Sequence, residues 1–342
     1  MTKQVTYLPA EWEKQSGVQL TWPDEQTDWE STLAEVLPVY EQIAKEILAR
    51  EKLLIVCRDK SKLPSFLQKD NKNLLVREMP INDTWARDHG ALTIFENKKP
   101  VLLNFRFNGW GMKFPANHDN QITPNLHRLM SFQESIELRD YSYFTFEGGA
   151  IESNGEGCIL TTSECLLSKN RNEHLSKAEI EFLLKKTLHI EKTLWLDHGF
   201  LEGDDTDSHI DTLARFCNKN TIAYVKCENR DDIHFEAFQK MEAELQSLTD
   251  QNGQAFNLVS LPFPDAIYDE EGQRLPATYA NFLILNQAVL LPVYDVQQDT
   301  EAIETMKHLF PDSEIIAVNS RALIKQHGSI HCISMQFPKG VL

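Results

Sequence analysis

The sequence is short of the features that mark a secreted, membrane or nucleic-acid-binding chain. Apolar runs reach four to six residues, as in Leu53–Cys57 and Val289–Val293. A membrane helix needs ~20, so none is expected. Met1–Gln15 holds no apolar core stretch, so a secretory leader is not expected. The six cysteines are Cys57, Cys158, Cys165, Cys217, Cys227 and Cys332, and no two form a C-x-x-C pair. That spacing excludes a zinc ribbon and argues for reduced thiols in a cytoplasmic protein. Basic residues are scarce: Lys plus Arg is 34 against 51 for Asp plus Glu, a net charge of −17. Phosphate backbones need Lys and Arg, so nucleic acid is excluded as a partner and a cationic one is permitted. No Pro/Gly/Ser linker or low-complexity stretch divides the 342 residues, and one domain over 1–342 is expected.

What is present is a repeat. Four segments read as apolar run, polar turn, apolar run. They are Ala91–Phe95 with Val101–Phe105, Ala150–Glu152 with Cys158–Thr161, Leu213–Cys217 with Thr221–Val225, and Asn281–Leu285 with Ala288–Val293. Their turns fall near positions 98, 155, 219 and 286, a step of roughly 60 residues. Each is followed by a helical pattern and a short apolar strand. The helical patterns lie at 123–132, 173–188, 231–248 and 299–309, and the strands at 135–138, 193–196, 258–261 and 314–318. The N-terminal part supplies a strand at Val18–Trp22 and a helix marked by Trp29, Leu33, Val36, Leu37, Tyr40, Ile43, Ile47 and Leu48. The strand Leu53–Cys57 comes next. The last hairpin has one arm, Ile330–Phe337, and Val18–Trp22 is its expected partner. The unit is ββαβ, five times. One unit cannot bury both its sheet and its helix, so the units must share a centre. An ordinary doubly wound α/β domain is the plainer alternative.

The unusual polar residues sit at one place in each unit, just before the first hairpin strand. They run Asn82-Asp83-Thr84-Trp85-Ala86-Arg87-Asp88-His89-Gly90, Phe146-Glu147-Gly148-Gly149 and Asp204–Asp211. Pro276–Asn281 and His327-Gly328-Ser329-Ile330-His331-Cys332 complete the set. Around an axis these positions converge. A thiol, an imidazole and several carboxylates then form a nucleophile–base site. Paired carboxylates suit the planar fork of a guanidinium, and a thiolate suits its electron-poor carbon. A bound cation also lowers the thiol's pKa.

Each residue has a plainer reading. Cys332 could be a buried core thiol, Asp88 a surface partner of Arg87, Glu147 a turn residue, and Trp85 and Trp110 core aromatics. Asp207-x-His209-x-Asp211 looks like a fragment of a metal site, and His327 and His331 add imidazoles four residues apart. Along a strand that spacing is ~13 Å, so no metal is expected. Strand alternation also turns His331 away from the face of Cys332, which makes it structural.

At these residues the chain resembles the agmatine deiminase family, which includes bacterial peptidylarginine deiminases, within the guanidino-group-modifying superfamily. The resemblance runs from Gly17–Pro23 to His331–Gln336. It rests on N-D-T-W-A-R-D, F-N-G-W-G, E-G-G-A-I, T-T-S-E-C-L-L-x-x-N-R-N, D-x-T-D-S-H-I-D and G-S-I-H-C, in the family's order. It implies a pentein-like five-bladed α/β propeller of pseudo-symmetric ββαβ units, with no metal and no organic cofactor. The implied reaction is hydrolysis of agmatine to N-carbamoylputrescine and ammonia, a step of polyamine metabolism. Peptidylarginine or free arginine is the alternative substrate. Amidino transfer and a non-enzymatic binding module are further alternatives on the same fold. The resemblance implies Cys332 as the nucleophile of an amidino-cysteine intermediate and His209 as general acid, then base. Asp88 and Asp211 grip the guanidinium, and Glu147 hydrogen-bonds His209. Trp85 and Trp110 wall the pocket, and Asp205 stands near the far end of the substrate. A homodimer is implied as well. Departures from the family pattern at His89-Gly90-Ala91, Asp205, Ser208 and His327-Gly328-Ser329 are expected on the pocket rim.

Overall fold

The computed structural model describes residues 6–342. The apolar stripe of the N-terminal part forms one helix, Leu33–Arg50, preceded by a single 3₁₀ turn, Glu30–Thr32. Val36, Tyr40, Ile43, Ala44 and Ile47 are its buried residues, and their spacing puts them on one face. That face packs with Leu53 and Ile55 of the strand Lys52–Cys57. Fully burying one such Ile or Leu contributes about 1.5–3 kcal/mol.

The third unit shows the plan. Ala214–Asn218 pairs antiparallel with Thr221–Lys226, and helix Phe235–Ser247 returns the chain to Asn257–Pro262, parallel to Thr221–Lys226. The fourth unit repeats it with Leu283–Leu285, Ala288–Val293, helix Asp299–Leu309 and Glu314–Asn319. The first uses Leu92–Glu96, Lys99–Arg106, the short helix Ile122–Arg128 and Glu137–Thr145. The second uses Glu152–Ser153, Cys158–Thr162, helix Lys177–Leu188 and Lys192–Leu196. In the fifth, Ser334–Pro338 pairs antiparallel with Gln15–Thr21, Ser334 opposite Leu20. Gln15–Thr21 then pairs parallel with Lys52–Cys57. The expected partner of the last strand is thus the observed one.

Among the described residues the result is a mixed α/β fold of five small sheets. Residues in the middle strands are buried almost without break, as at Leu53–Cys57 and Cys158–Thr162. Parallel pairing beneath a helix buries both faces, which removes the usual polar alternation. Two strands escaped the sequence reading. Thr6–Tyr7 adds an edge to the first sheet and Leu74–Glu78 adds one to the fifth. The last strand starts later than expected, at Ser334. Ile330–Ile333 form a turn instead, tied by Ile333 N–H to Ser329 O at 3.3 Å and Ser334 N–H to His331 O at 3.1 Å. Among the described residues no helix is long and apolar enough to cross a membrane.

Candidate active site

The site is built on a backbone with no side chain. Gly149 lies in the 3₁₀ turn Gly148–Ala150, and its N–H donates to Asp88 Oδ1 at 3.0 Å. A Cβ on Gly149 would stand 2.6 Å from His209 Nδ1, 2.9 Å from Asp88 Oδ1 and 3.2 Å from Asp211 Oδ2. Three polar side chains, one from the first unit and two from the third, therefore meet against the backbone of the second. Glycine is needed there for close approach.

Asp88 sits in the one-turn helix Ala86–His89 and is buried. Its Oδ2 accepts from Trp110 Nε1 at 2.9 Å. Trp110 has a left-handed backbone, φ 54°, held by Asn108, whose side chain accepts from Gly111 N–H at 2.9 Å. Burial pushes the Asp88 carboxyl up to about 6; His209 opposes the rise, and Asp211 and Glu147 add to it.

His209 is also buried, with Nδ1 3.6 Å from Asp88 Oδ1 and Nε2 3.9 Å from Glu147 Oε2. Burial works against its charge, but Asp88, the Cys165 thiol and Glu147 together hold its pKa well above the ordinary value. His209 is an imidazolium at neutral pH. Its Nε2 makes no hydrogen bond. The expected Glu147–His209 hydrogen bond is therefore too long, and the contact is an ion pair. The reason is Arg171, whose Nε donates to both Glu147 oxygens at 3.0 and 2.9 Å. Arg171 also reaches Asp207 Oδ2 at 2.6 Å and Thr206 O at 2.8 Å. Despite burial, Arg171 and His209 keep Glu147 below the usual carboxylate range.

Asp211 is fully buried, and its Oδ2 lies 2.7 Å from His331 Nδ1. Its Oδ1 is a buried acceptor with no hydrogen-bond partner. Burial raises its pKa, but His331, His209 and Arg215 bring it below the ordinary value. Cys332 Sγ is 4.0 Å from Asp211 Oδ2 and 3.3 Å from Asn281 Oδ1. Burial, then Asp211 and Asp88, push the thiol well above its usual pKa, so it is protonated at neutral pH.

Asp88 and Cys332 open onto a cavity of about 750 Å³; His209, Asp211 and Glu147 are buried and are not among its lining residues. Asp88, Cys332, Trp85 and Trp110 line it, the two rings packed edge to face at 6.2 Å. Trp85 donates from Nε1 to Asp83 Oδ2 at 3.0 Å. A Cβ on Gly328 would lie 2.1 Å from the Trp85 ring, so this glycine makes room for the wall. Asp205 stands at the mouth with its side chain 40% exposed, 3.9 Å from His327 Nε2. The cavity lining carries Asp28, Asp83, Asp119, Asp204 and Asp205 but one Arg and no Lys. That one, Arg58, is paired with Asp24.

The departures do not all lie on the rim. His89 is buried 6.2 Å from the Phe107 ring, and desolvation lowers its pKa to about 3. Ser208 is buried too and donates to Glu164 Oε2 at 3.0 Å. Asp205, His327 and Gly328 do line the cavity. His327 and His331 do not share a site: His327 faces Gly203 O at 2.7 Å, whereas His331 is buried behind Cys332. Two other groups have donor spacing for an ion, Glu147–Cys165–His209 and Glu11–Glu152–His331. Arg171 holds Glu147 in the first, and Arg215 holds Glu11 and Glu152 in the second. A guanidinium already takes the place of a metal cation in both.

Sequence reasoning missed three residues here. Asn281, Arg171 and Cys165 all touch the site. Asn281 was visible at the fourth pre-hairpin position, and the other two in T-T-S-E-C-L-L-x-x-N-R-N.

The sequence profile of the Porphyromonas-type peptidyl-arginine deiminases matches residues 7–338. The chain belongs to that family. An agmatine deiminase from Pseudomonas aeruginosa is 30% identical over 97% of this chain and 95% of its own. A C. jejuni agmatine deiminase structure with substrate bound is 39% identical, with a TM-score of 0.91 over 100% of this chain and 99% of that one. A Porphyromonas gingivalis structure, given provisionally as an arginine deiminase, is 48% identical at a TM-score of 0.93, covering 99% and 100%. A dimethylarginine dimethylaminohydrolase structure shares the fold at 14% identity and a TM-score of 0.53.

Proposed function

We propose that the protein is a guanidine deiminase, a C–N hydrolase that converts agmatine to N-carbamoylputrescine and ammonia. One observation carries this reading: Asp88, Asp211, His209 and Cys332 converge beside Gly149, with Asp211 Oδ1 unpartnered. Asp88 and Asp211 are the guanidinium acceptors. A bound cation neutralises the two charges that hold the thiol up, so Cys332 loses its proton to solvent as substrate seats. The thiolate attacks the guanidine carbon. His209, already an imidazolium, gives its proton to the leaving nitrogen, and the C–N bond breaks to release ammonia. The amidino-thioether remains on Cys332. Neutral His209 then takes a proton from water, the hydroxyl adds to the carbon, and the C–S bond breaks to give the urea. Glu147, pinned by Arg171, supplies the charge that keeps His209 protonated for the first step.

The tail end supports agmatine over free arginine. Carboxylates dominate the lining, and its one guanidinium is engaged by Asp24, so a substrate carboxylate finds no free Arg or Lys there. Peptidyl arginine is the second reading, favoured by the 750 Å³ cavity and the family match. Ammonia release from agmatine, free arginine and an arginyl peptide separates the three. Turnover of the peptide alone would overturn the agmatine assignment, and a Cys332→Ala protein with full activity would overturn the mechanism.

We also read 1–342 as a single catalytic propeller of five blades. The pairing of Ser334–Pro338 with Gln15–Thr21 supports it, because that pairing joins the two ends of the repeat. The net charge of −17 supports a cytoplasmic small-molecule enzyme that binds no nucleic acid. The homodimer rests on family resemblance, and light scattering tests it.

A further inference from the structure

We propose that Glu11 is a positioning residue for this site, acting through His331 on Asp211. The proposal rests on the deiminase reading and extends it to a carboxylate that does not line the cavity.

Glu11 lies in the turn after the edge strand Thr6–Tyr7, with a side chain 13% exposed. Its Oε1 accepts from Arg87 Nη1 at 2.9 Å and lies 2.8 Å from His331 Nε2, and its Oε2 accepts from Arg215 Nη2 at 2.7 Å. Each of the three partners is tied to a residue of the site. Arg87 precedes Asp88, and its backbone N–H donates to Cys332 O at 3.1 Å. His331 precedes Cys332 and meets Asp211 through Nδ1. Arg215 Nη1 donates to Ala280 O at 3.0 Å and Phe282 O at 2.8 Å, the carbonyls on either side of Asn281. One carboxylate therefore gathers the backs of the segments whose fronts carry Asp88, Cys332 and Asn281.

The electrostatics make this more than a brace. Arg87, Arg215 and His331 are buried cationic or protonatable groups, and leaving such charges unpaired costs several kcal/mol. Glu11 and Glu152 are the carboxylates that face the two guanidiniums. His331 sees Glu11, Arg215, Arg87 and Asp211. Asp211 sees His331, His209 and Arg215, with Glu152 and Asp88 nearby. Arg215 Nη2 also lies 3.0 Å from His331 Nε2. With Glu11 neutral, the two guanidiniums face His331 unopposed and disfavour its imidazolium form. Asp211 keeps the Nδ1 hydrogen bond but loses the positive charge behind it, and in a buried site it protonates more readily. A protonated Asp211 cannot grip a guanidinium.

The test compares wild type with Glu11→Gln and Glu11→Asp, using agmatine. In Glu11→Gln, KM should rise at least about tenfold while kcat changes less than about threefold, since the lost grip acts on bound substrate and transition state alike. The acid side of the kcat/KM profile should steepen from one proton to two as Asp211 joins Asp88 in the titration. Glu11→Asp, which keeps the charge, should restore the single-proton slope. A cooperatively melting Glu11→Gln protein with wild-type KM and slope overturns the proposal, as does an Asp variant no better than Gln. Should Glu11→Gln fail to fold, His331→Asn carries the same test: it keeps a donor for Asp211 and loses the reach to Glu11. A second readout needs no turnover. The Asp211 charge raises the Cys332 thiol, so below pH 6 iodoacetamide should alkylate Cys332 faster in Glu11→Gln than in wild type. Equal rates overturn the linkage; absence of wild-type ammonia release from every guanidine would overturn the deiminase reading alone.

Discussion

At the scale of single residues, charge state decides what the site can do. With the cavity empty, Cys332 is a thiol and His209 an imidazolium, the reverse of what a reactive cysteine paired with a free base would show. In the proposed mechanism substrate charge makes the nucleophile, so guanidines lacking a positive charge should turn over poorly. In the proposed role Asp88 must be ionised to grip the cation, and burial pushes its pKa up to about 6. Its raised pKa means the charge is present above that value and lost as pH falls through it. We expect kcat/KM to decline below about pH 6, measured by steady-state ammonia release; a flat profile from pH 5 to 8 would rule this out. Trp110→Phe removes the N–H that Asp88 Oδ2 accepts at 2.9 Å while keeping the ring. A hydrogen bond to a charged group contributes about 1.5–3 kcal/mol, so kcat/KM should fall roughly 10- to 100-fold with little loss of melting temperature.

At the scale of elements, two local devices separate stability from activity. Gly328 admits the Trp85 ring, and a Cβ there would stand 2.1 Å from it. Gly328→Ala should displace that wall and cut kcat/KM more than tenfold, read beside a thermal melt that shows the fold intact. Helix Lys177–Leu188 has the opposite character. Ser176 and Glu179 form a reciprocal capping box at its exposed start, and their side chains bond each other and no site residue. Ser176→Ala should cost about 1 kcal/mol in denaturant unfolding and leave turnover unchanged. The helices and middle strands were legible because period and burial coincide in them. Asp299–Leu309 matches its expected bounds, and Lys192–Leu196 differs by one residue. Leu74–Glu78 was not legible, because a half-buried edge strand of five residues shows neither alternation nor a continuous apolar run. The turn at Ile330–Ile333 was hidden for another reason. Its apolar and polar residues alternate like a strand, and only the packing of Asn281 against His331 and Cys332 N–H groups makes them turn.

At the scale of the whole molecule, the site is a product of pseudo-repetition. Asp88, Glu147, His209 with Asp211, Asn281 and Cys332 come one from each unit, and the sequence showed the five places where they would fall. It could not show what lies between them. Arg171 and Glu11 act through contacts 24 and 320 residues away, at Glu147 and His331, and no local pattern marks such a pair. Of the carboxylates the family motifs singled out, Asp88 and Asp205 line the cavity while Asp211 and Glu147 are buried off its lining, and the engaged state of Arg58 required coordinates. Removal of residues 334–342 should leave Gln15–Thr21 without its antiparallel neighbour. The shortened protein should lose cooperative melting and aggregate. A soluble, sharply melting product would show that the remaining four sheets are self-sufficient.

The order of the chain has a consequence for its synthesis. Acids and imidazole are translated early, the sulfur late, and the strand that seats the sulfur pairs with residues made at the outset. A polypeptide still growing on the ribosome can collect the cation-holding groups but owns no attacking atom. In the proposed mechanism prematurely terminated copies are therefore chemically silent, and ammonia production begins only when Ser334–Pro338 docks against Gln15–Thr21.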